Sequence, residues 1–251
     1  MVYEDADEVE AAEDAYRESL AIKVRLGNIG GQANTLVQLG NLYLTKLGRT
    51  EEAVPFYRQA IDKYADIRNV THEANARCGL AMALRQLGYL DEARKEVRLS
   101  IKTAESSDHA IEPWRFWNTL CDIETDAKNP TAAAYAKRQA INFYLAYRRD
   151  GGENYDFDGR VSLPVTEALL AGDPATAAAF LQEVAADLPD NAHTYIRALQ
   201  AVVAGSRDPS LADSPDLDFG MATEILFLIE TLESTAADRY TLPDEPAGGM
   251  V

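Results

Sequence analysis

Three histidines, two cysteines and 41 carboxylates are the side chains through which this 251-residue sequence could do chemistry. Their spacing does not assemble a reaction centre. His72, His109 and His193 fall in separate segments, and Ser106, Ser107, Asp108 and His109 are consecutive, so their side chains diverge and cannot form a nucleophile, base and orienting acid. No GxGxxG, GxxxxGK[ST], HExxH or GxSxG stretch is present. Cys78 and Cys121 lack CxxC or Cys/His spacing, which predicts small core residues rather than a disulfide or zinc site. Asn154, Asp156, Asp158 and Gly159 match positions one, three, five and six of a calcium-binding loop, but Val165 stands where the bidentate Glu belongs. A polar turn is expected there. The acidic pairs Glu51-Glu52 and Asp91-Glu92 suit the first turns of helices, where carboxylates meet the positive end of the dipole. The expectation is a protein without catalytic residues, cofactor or metal.

Hydrophobic residues make up 47% of the chain and charged residues 26%, enough apolar surface for a substantial core. The net charge of -17 is concentrated at the ends. Residues 1–16 hold seven acids and no base, and residues 207–251 hold ten acids against Arg207 and Arg239. An acidic chain without a basic stripe argues against nucleic acid and anionic membrane as partners. No apolar run is long enough to cross a bilayer, and the first twenty residues are too acidic for a secretory signal. A cytoplasmic location is expected, with the oligomeric state open.

What must position any binding residues is an internal repeat. Displacing the chain by 41 residues lays Ala12, Tyr16, Arg17, Leu20 and Asn28 on Ala53, Tyr57, Arg58, Ile61 and Asn69. A further 40 adds Ala93, Arg98 and Ile101, and another 40 adds Ala133, Arg138 and Ile141. Between these, Ala33, Asn34, Leu39 and Gly40 fall on Ala74, Asn75, Leu80 and Ala81, and Leu120 and Cys121 continue the series. Each unit thus has an A helix and a B helix, whose small residues permit close approach. Leu47-Gly48, Leu87-Gly88 and Gly172 punctuate the A/B junctions, where glycine can end a helix in the left-handed conformation.

The segments LGNLYLTKLGRTEEAVPFYRQAI and LAMALRQLGYLDEARKEVRLSI resemble tetratricopeptide repeats of the longer type, similar to those of kinesin light chain and many large bacterial signalling proteins. The likeness covers residues 12–141 and weakens toward 187. Trp117 takes the repeat's aromatic position; in the third unit Glu124 replaces Tyr43 and Leu84, and Ala127-Lys128 replaces Leu-Gly, so its packing is expected to differ locally. The implied fold is all-α, an α–α superhelix of antiparallel helix pairs with a C-terminal helical cap.

The pattern predicts helices over 7–27, 31–47, 50–67, 71–86, 90–106, 111–127 and 130–149, then 161–171, 174–187, 191–205 and 219–234. The division expected is a repeat array over 1–149 that begins on a B helix, as would a piece of a longer protein. A Gly/Asp-rich joint over 150–160 follows, then degenerate and capping helices over 161–235, and a flexible tail over 236–251. The helix around Ile225, Leu226, Phe227, Leu228, Ile229 and Leu232 is apolar nearly all round and must be covered on several sides.

The resemblance implies that a protein or peptide partner lies on the inner surface of A helices. The positions it implies are Asn34, Val37, Asn41 and Leu44 on the first, Asn75, Cys78, Met82 and Arg85 on the second, and Arg115, Asn118, Asp122 and Thr125 on the third. Asparagine both donates to and accepts from an extended backbone, which grips a chain without demanding its side-chain sequence. Val37 stands where the chaperone-binding members carry Lys, so their carboxylate clamp is not reproduced. Arg85 and Arg115 could hold an acidic group. The repeated Arg17, Arg58, Arg98 and Arg138 read as inter-repeat ion pairing. The alternative function is a ligand-sensing regulatory domain of a larger bacterial signalling protein.

Overall fold

In the computed structural model, residues 2–106, 112–186, 188 and 192–240 are described, with side chains over 9–106, 112–186, 188 and 192–235. Among them the secondary structure is helical throughout, and they divide into two units, 1–140 and 141–251. The division falls inside the seventh helix instead of after it. His109 and residues 241–251 lie outside the described residues.

The first unit alternates B and A helices: α1 Val2–Arg25, α2 Ile29–Asn41, α3 Thr50–Asp66, α4 Val70–Gln86, α5 Leu90–Glu105, α6 Pro113–Asp126 and the start of α7, Pro130–Arg149. The repeated asparagines are helix starts. Asn28 Oδ1 accepts from Gly31 N at 2.8 Å, Asn69 Oδ1 from His72 N at 3.2 Å, and Asn129 Oδ1 from Ala132 N at 3.3 Å, each satisfying an amide that has no partner within its helix. Gly48 and Gly88 end A helices with φ of 63° and 79°. At the equivalent place in the third unit Lys128 adopts φ 55°, a conformation in which its Cβ is crowded.

Side chains recurring at the repeat period form the core. Ala33, Leu36 and Leu39 of α2 and Ala53, Tyr57 and Ala60 of α3 are buried where those two helices pack, as are Ala74, Leu80 and Leu84 of α4 and Ala93, Val97 and Ile101 of α5. Each fully buried large apolar side chain contributes about 1.5–3 kcal/mol. Tyr57 is 0% exposed and is packed between α2 and α4: a Cβ on Gly40 would come 2.9 Å from its ring and one on Gly79 2.5 Å. These two glycines make room for a ring where the helices converge.

The shift of 41 residues followed by 40 also has a structural cause. Leu39 and Ala53 are 14 positions apart, whereas Leu80 and Ala93 are 13, as are Leu120 and Ala133. The extra residue lies in a π turn, Leu42–Lys46, that continues α2, and Leu47 N donates to Leu42 O at 3.0 Å five residues back. A π turn is how a helix takes up one inserted residue without losing its hydrogen bonds.

The second unit contains the end of α7, α8 Phe157–Leu170, α9 Pro174–Ala186, α10 His193–Val203, a 3-10 turn Pro209–Ala212 and α11 Phe219–Tyr240. α8 starts inside the stretch expected as a joint, and α11 runs into the stretch expected as a tail. Val161, Val165, Leu181, Tyr195, Leu199, Ile225, Leu228 and Ile229 are buried together, and Leu226 and Leu232 pack against them. Phe227 is covered by the Arg148 guanidinium, 4.8 Å from its ring centre.

Candidate partner-binding site

The A helices α2, α4 and α6 are neighbours: Tyr57 is wedged between Gly40 and Gly79, and α4 is joined to α6 by polar contacts. Asn34, Asn41, Asn75, Met82 and Arg115 are exposed on them, and Val37, Arg85, Asn118 and Asp122 are half-buried. Leu44 is in the core at 4% exposure. In an unbroken α-helix it would share a face with Asn34, Val37 and Asn41, but the wider π turn from Leu42 makes it lag behind and point inward. Cys78 is also buried; its Sγ lies 3.3 Å from Thr119 Oγ1 on α6, and burial pushes its thiol up.

Buried tyrosines of α3 hold two of the asparagines. Tyr57 Oη donates to Asn41 Oδ1 at 2.6 Å, and Tyr64 Oη donates to Asn34 Oδ1. With each amide oxygen turned to a tyrosine, its nitrogen is presented outward as a donor. Among the described residues no acceptor stands against either nitrogen. Burial raises the pKa of both tyrosines, so they stay protonated donors at neutral pH.

Arg85 is not free for a ligand. It bridges α4 to α6, with Nη1 2.8 Å from Asp122 Oδ2 and Nε 2.5 Å from Asp126 Oδ2. Burial raises the Asp122 carboxyl despite the guanidinium beside it. Among the described residues Arg115 pairs only with Glu112 of its own helix start, at 3.2 Å, and it is largely exposed.

The repeated arginines behave differently from one another. In the first unit Tyr43 Oη donates to Glu13 Oε1 at 2.6 Å and accepts from Arg17 Nη2 at 2.9 Å. Moving 81 positions along puts Arg94 at the place of Glu13, Arg98 at that of Arg17 and Glu124 at that of Tyr43. The polarity is reversed there: Arg94 donates to Glu124 Oε1 at 2.7 Å and to Oε2 at 3.1 Å, while Glu124 is 2% exposed. In the intervening unit the same two places hold Val54 and Leu84, and Arg58 pairs with Glu92 across the repeat at 2.6 Å. Arg98 keeps only a 3.9 Å approach to Glu124 and is 63% exposed. Sequence comparison marked Glu124 as a departure but not Arg94 as its partner, because the compensating residue lies 30 positions away on another helix.

The calcium-like spacing becomes a turn and a helix start. Asn154 Oδ1 accepts from Asp156 N at 3.0 Å, and its amide nitrogen faces Asp158 Oδ2 at 3.2 Å and Glu224 Oε1 at 2.9 Å. Glu224, buried in α11, also accepts from Ser162 Oγ at 2.6 Å and pairs with Arg148 at 2.9 Å. Tyr195 Oη donates to the Asp158 carbonyl at 2.8 Å. Burial pushes the Asp158 carboxyl up to about 6. This network fastens α7, α8, α10 and α11 to one another. No cluster of His, Cys, Asp and Glu with metal-site geometry occurs among the described residues.

The tetratricopeptide repeat family model matches residues 1–66 and again residues 31–106. Residues 1–106 are thus similar to tetratricopeptide repeats. Such repeats generally mediate protein–protein interaction and generally serve as non-catalytic scaffolds. Among solved structures, BtubC (BKLC) from P. vanneervenii is similar at 17% identity and a TM-score of 0.51, over 97% of this chain and 98% of that one. That likeness is one of fold: an all-α superhelix of paired helices. No curated protein matches the chain. Among the described residues no helix is long and apolar enough to cross a membrane.

Proposed function

We propose that the first unit is a non-catalytic recognition module that holds an extended polypeptide segment of a partner protein on its A-helix face. The observation that carries this is the orientation of Asn34 and Asn41, whose oxygens accept from Tyr64 and Tyr57 so that their amide nitrogens point outward. Donors fixed in this way can meet the carbonyls of an extended backbone without spending side-chain entropy on binding. Asn75, on α4, and Asn118 and Arg115, on α6, extend the donor row, and Val37 and Met82 supply apolar contact between the polar positions. Leu44 and Arg85 act in the support of this face, one in the core and one in the ion pairs that join α4 to α6.

The test uses substitutions that separate binding from folding. Asn34→Asp and Asn41→Asp keep an oxygen for each tyrosine but remove the outward donors. Partners captured by the intact chain should be lost from the double variant, with the melting temperature little changed. Undiminished capture by a variant that is folded would remove this face from the binding site.

A further inference from the structure

We propose a second binding site, on the opposite, B-helix side of the first unit, for an acidic peptide segment carrying one large apolar side chain. It goes beyond the A-helix reading and shares no residue with it. Lys95, Arg98 and Lys102 project from α5 and are exposed, a local concentration of cations in a chain of net charge -17. Among the described residues Lys95 and Lys102 have no ion-pair partner, and Arg98 has only its 3.9 Å approach to Glu124. The neighbouring cation Arg94 is already held by Glu124 and Asp91, at 2.7 and 2.5 Å. These three therefore keep their charge available.

Arg98 is also on the rim of a notch of about 180 Å³ between α5, α6 and α7, whose walls are Ile101, Trp117, Leu120, Ala132 and Tyr135, together with Glu124, whose carboxylate is taken up by Arg94 at 2.7 Å. The notch holds one side chain of leucine or phenylalanine size. Trp117 and Tyr135 meet edge to face with ring centres 5.8 Å apart, and Tyr135 is 55% exposed, so an aromatic wall is open at the surface. Trp117 is 8% exposed and its Nε1–H meets no acceptor among the described residues. An unpaired buried donor costs about 1–3 kcal/mol.

Charge complementarity selects the occupant. Lys95 and Lys102, with Arg98 between them, are seven steps apart along the helix, about 10 Å of axis. Alternate side chains of an extended peptide repeat every ~7 Å, so two acids two positions apart lie within reach of all three cations. An apolar side chain next to those acids enters the notch beside Arg98. Basic or purely polar segments satisfy neither half of the site.

The experiment measures anisotropy of a labelled peptide Asp-Glu-Phe-Glu-Asp-Glu titrated with the full chain at low salt. Saturable binding is expected, weakened at least tenfold by Arg98→Glu/Lys102→Glu and severalfold by Tyr135→Ala, all exposed positions where folding should survive. A peptide with Ser in place of Phe should bind at least fivefold more weakly. The Asn34→Asp/Asn41→Asp variant should bind the probe as the parent does, which separates this site from the A-helix face. Absence of saturable binding overturns the proposal, as does equal affinity for the Ser peptide, insensitivity to the charge reversals, or loss of binding in the asparagine variant. A parent chain that self-associates through this face, and becomes monomeric on Arg98→Glu/Lys102→Glu, overturns it in favour of a second copy as occupant.

Discussion

The reversed polarity at Arg94 and Glu124 makes a quantitative prediction, because the chain contains its own apolar version of the same pair in Val54 and Leu84. Arg94→Val leaves the Glu124 carboxylate, 2% exposed, with only Asn129 Nδ2 at 3.4 Å and Arg98 at 3.9 Å. Stranding a buried charge costs about 3–5 kcal/mol. Glu124→Leu strands the guanidinium instead, but the Arg94 side chain is 21% exposed and retains Asp91, so it can turn toward water and the cost falls to about 2 kcal/mol. Joining the two substitutions reproduces the Val/Leu combination that the previous unit carries at these places. Replacing a buried ion pair by well-packed apolar residues is commonly neutral or stabilising, so the double variant should lie within about 1 kcal/mol of the parent or above it. At roughly 2–4 °C per kcal/mol for a chain of this size, Arg94→Val should melt about 10 °C lower and the double variant near the parent. Urea denaturation of all four proteins, followed by far-ultraviolet circular dichroism, closes the cycle. Additive single effects, or a Glu124→Leu variant less stable than Arg94→Val, would refute the reasoning.

Three further outcomes are expected. Lys128→Gly should stabilise the chain by about 0.5–1 kcal/mol in denaturant, since φ 55° suits glycine, whereas Lys128→Ala should bring no gain. Asp158 has its folded pKa raised from 3.8 to about 6 by burial, so the folded state binds its proton more tightly than the unfolded state. The resulting destabilisation is absent below about pH 4, grows as pH rises to 6 and is complete above it, up to roughly 3 kcal/mol. Asp158→Asn should therefore stabilise at pH 7.5, with a gain that shrinks steadily as denaturation is repeated down to pH 4; a gain independent of pH would contradict this. Deleting Thr45, an exposed residue of the π turn, should leave a regular α-helix and change stability by under about 1 kcal/mol, whereas deleting the exposed Met82 from α4 should cost more than about 4 kcal/mol by rotating Ala83 and Leu84 out of the core.

Periodicity carried most of the fold. The spacing of Ala53, Tyr57 and Ile61 and their counterparts placed the helices within a few residues, because core side chains recur wherever the same contact recurs. Three things were not readable from one sequence. The second unit starts α8 at Phe157 because Asn154 and Asp158 are drawn into a buried network with Glu224, 70 residues away from Asn154. Leu44 is expected on the A-helix face because the family's inward-facing positions, carried across by resemblance, presuppose an unbroken helix, and α2 is not one. The tyrosines that orient Asn34 and Asn41 belong to α3, and no pattern within α2 announces them.

The π turn in α2 also bears on how such an array can change its length. One residue too many in a helix would normally turn everything after it by about 100°, and every later repeat would present the wrong side of its A helices. Here the surplus is spent within five residues, Leu42–Lys46, and the pattern resumes at Gly48 as though nothing had been added. The junction between paired helices is thus a place where insertions and deletions are forgiven, while the same change a few residues earlier, among Leu36, Leu39 and Gly40, would be punished. Repeats of 40 and 41 residues can follow one another in a single chain because they differ only at that tolerant point.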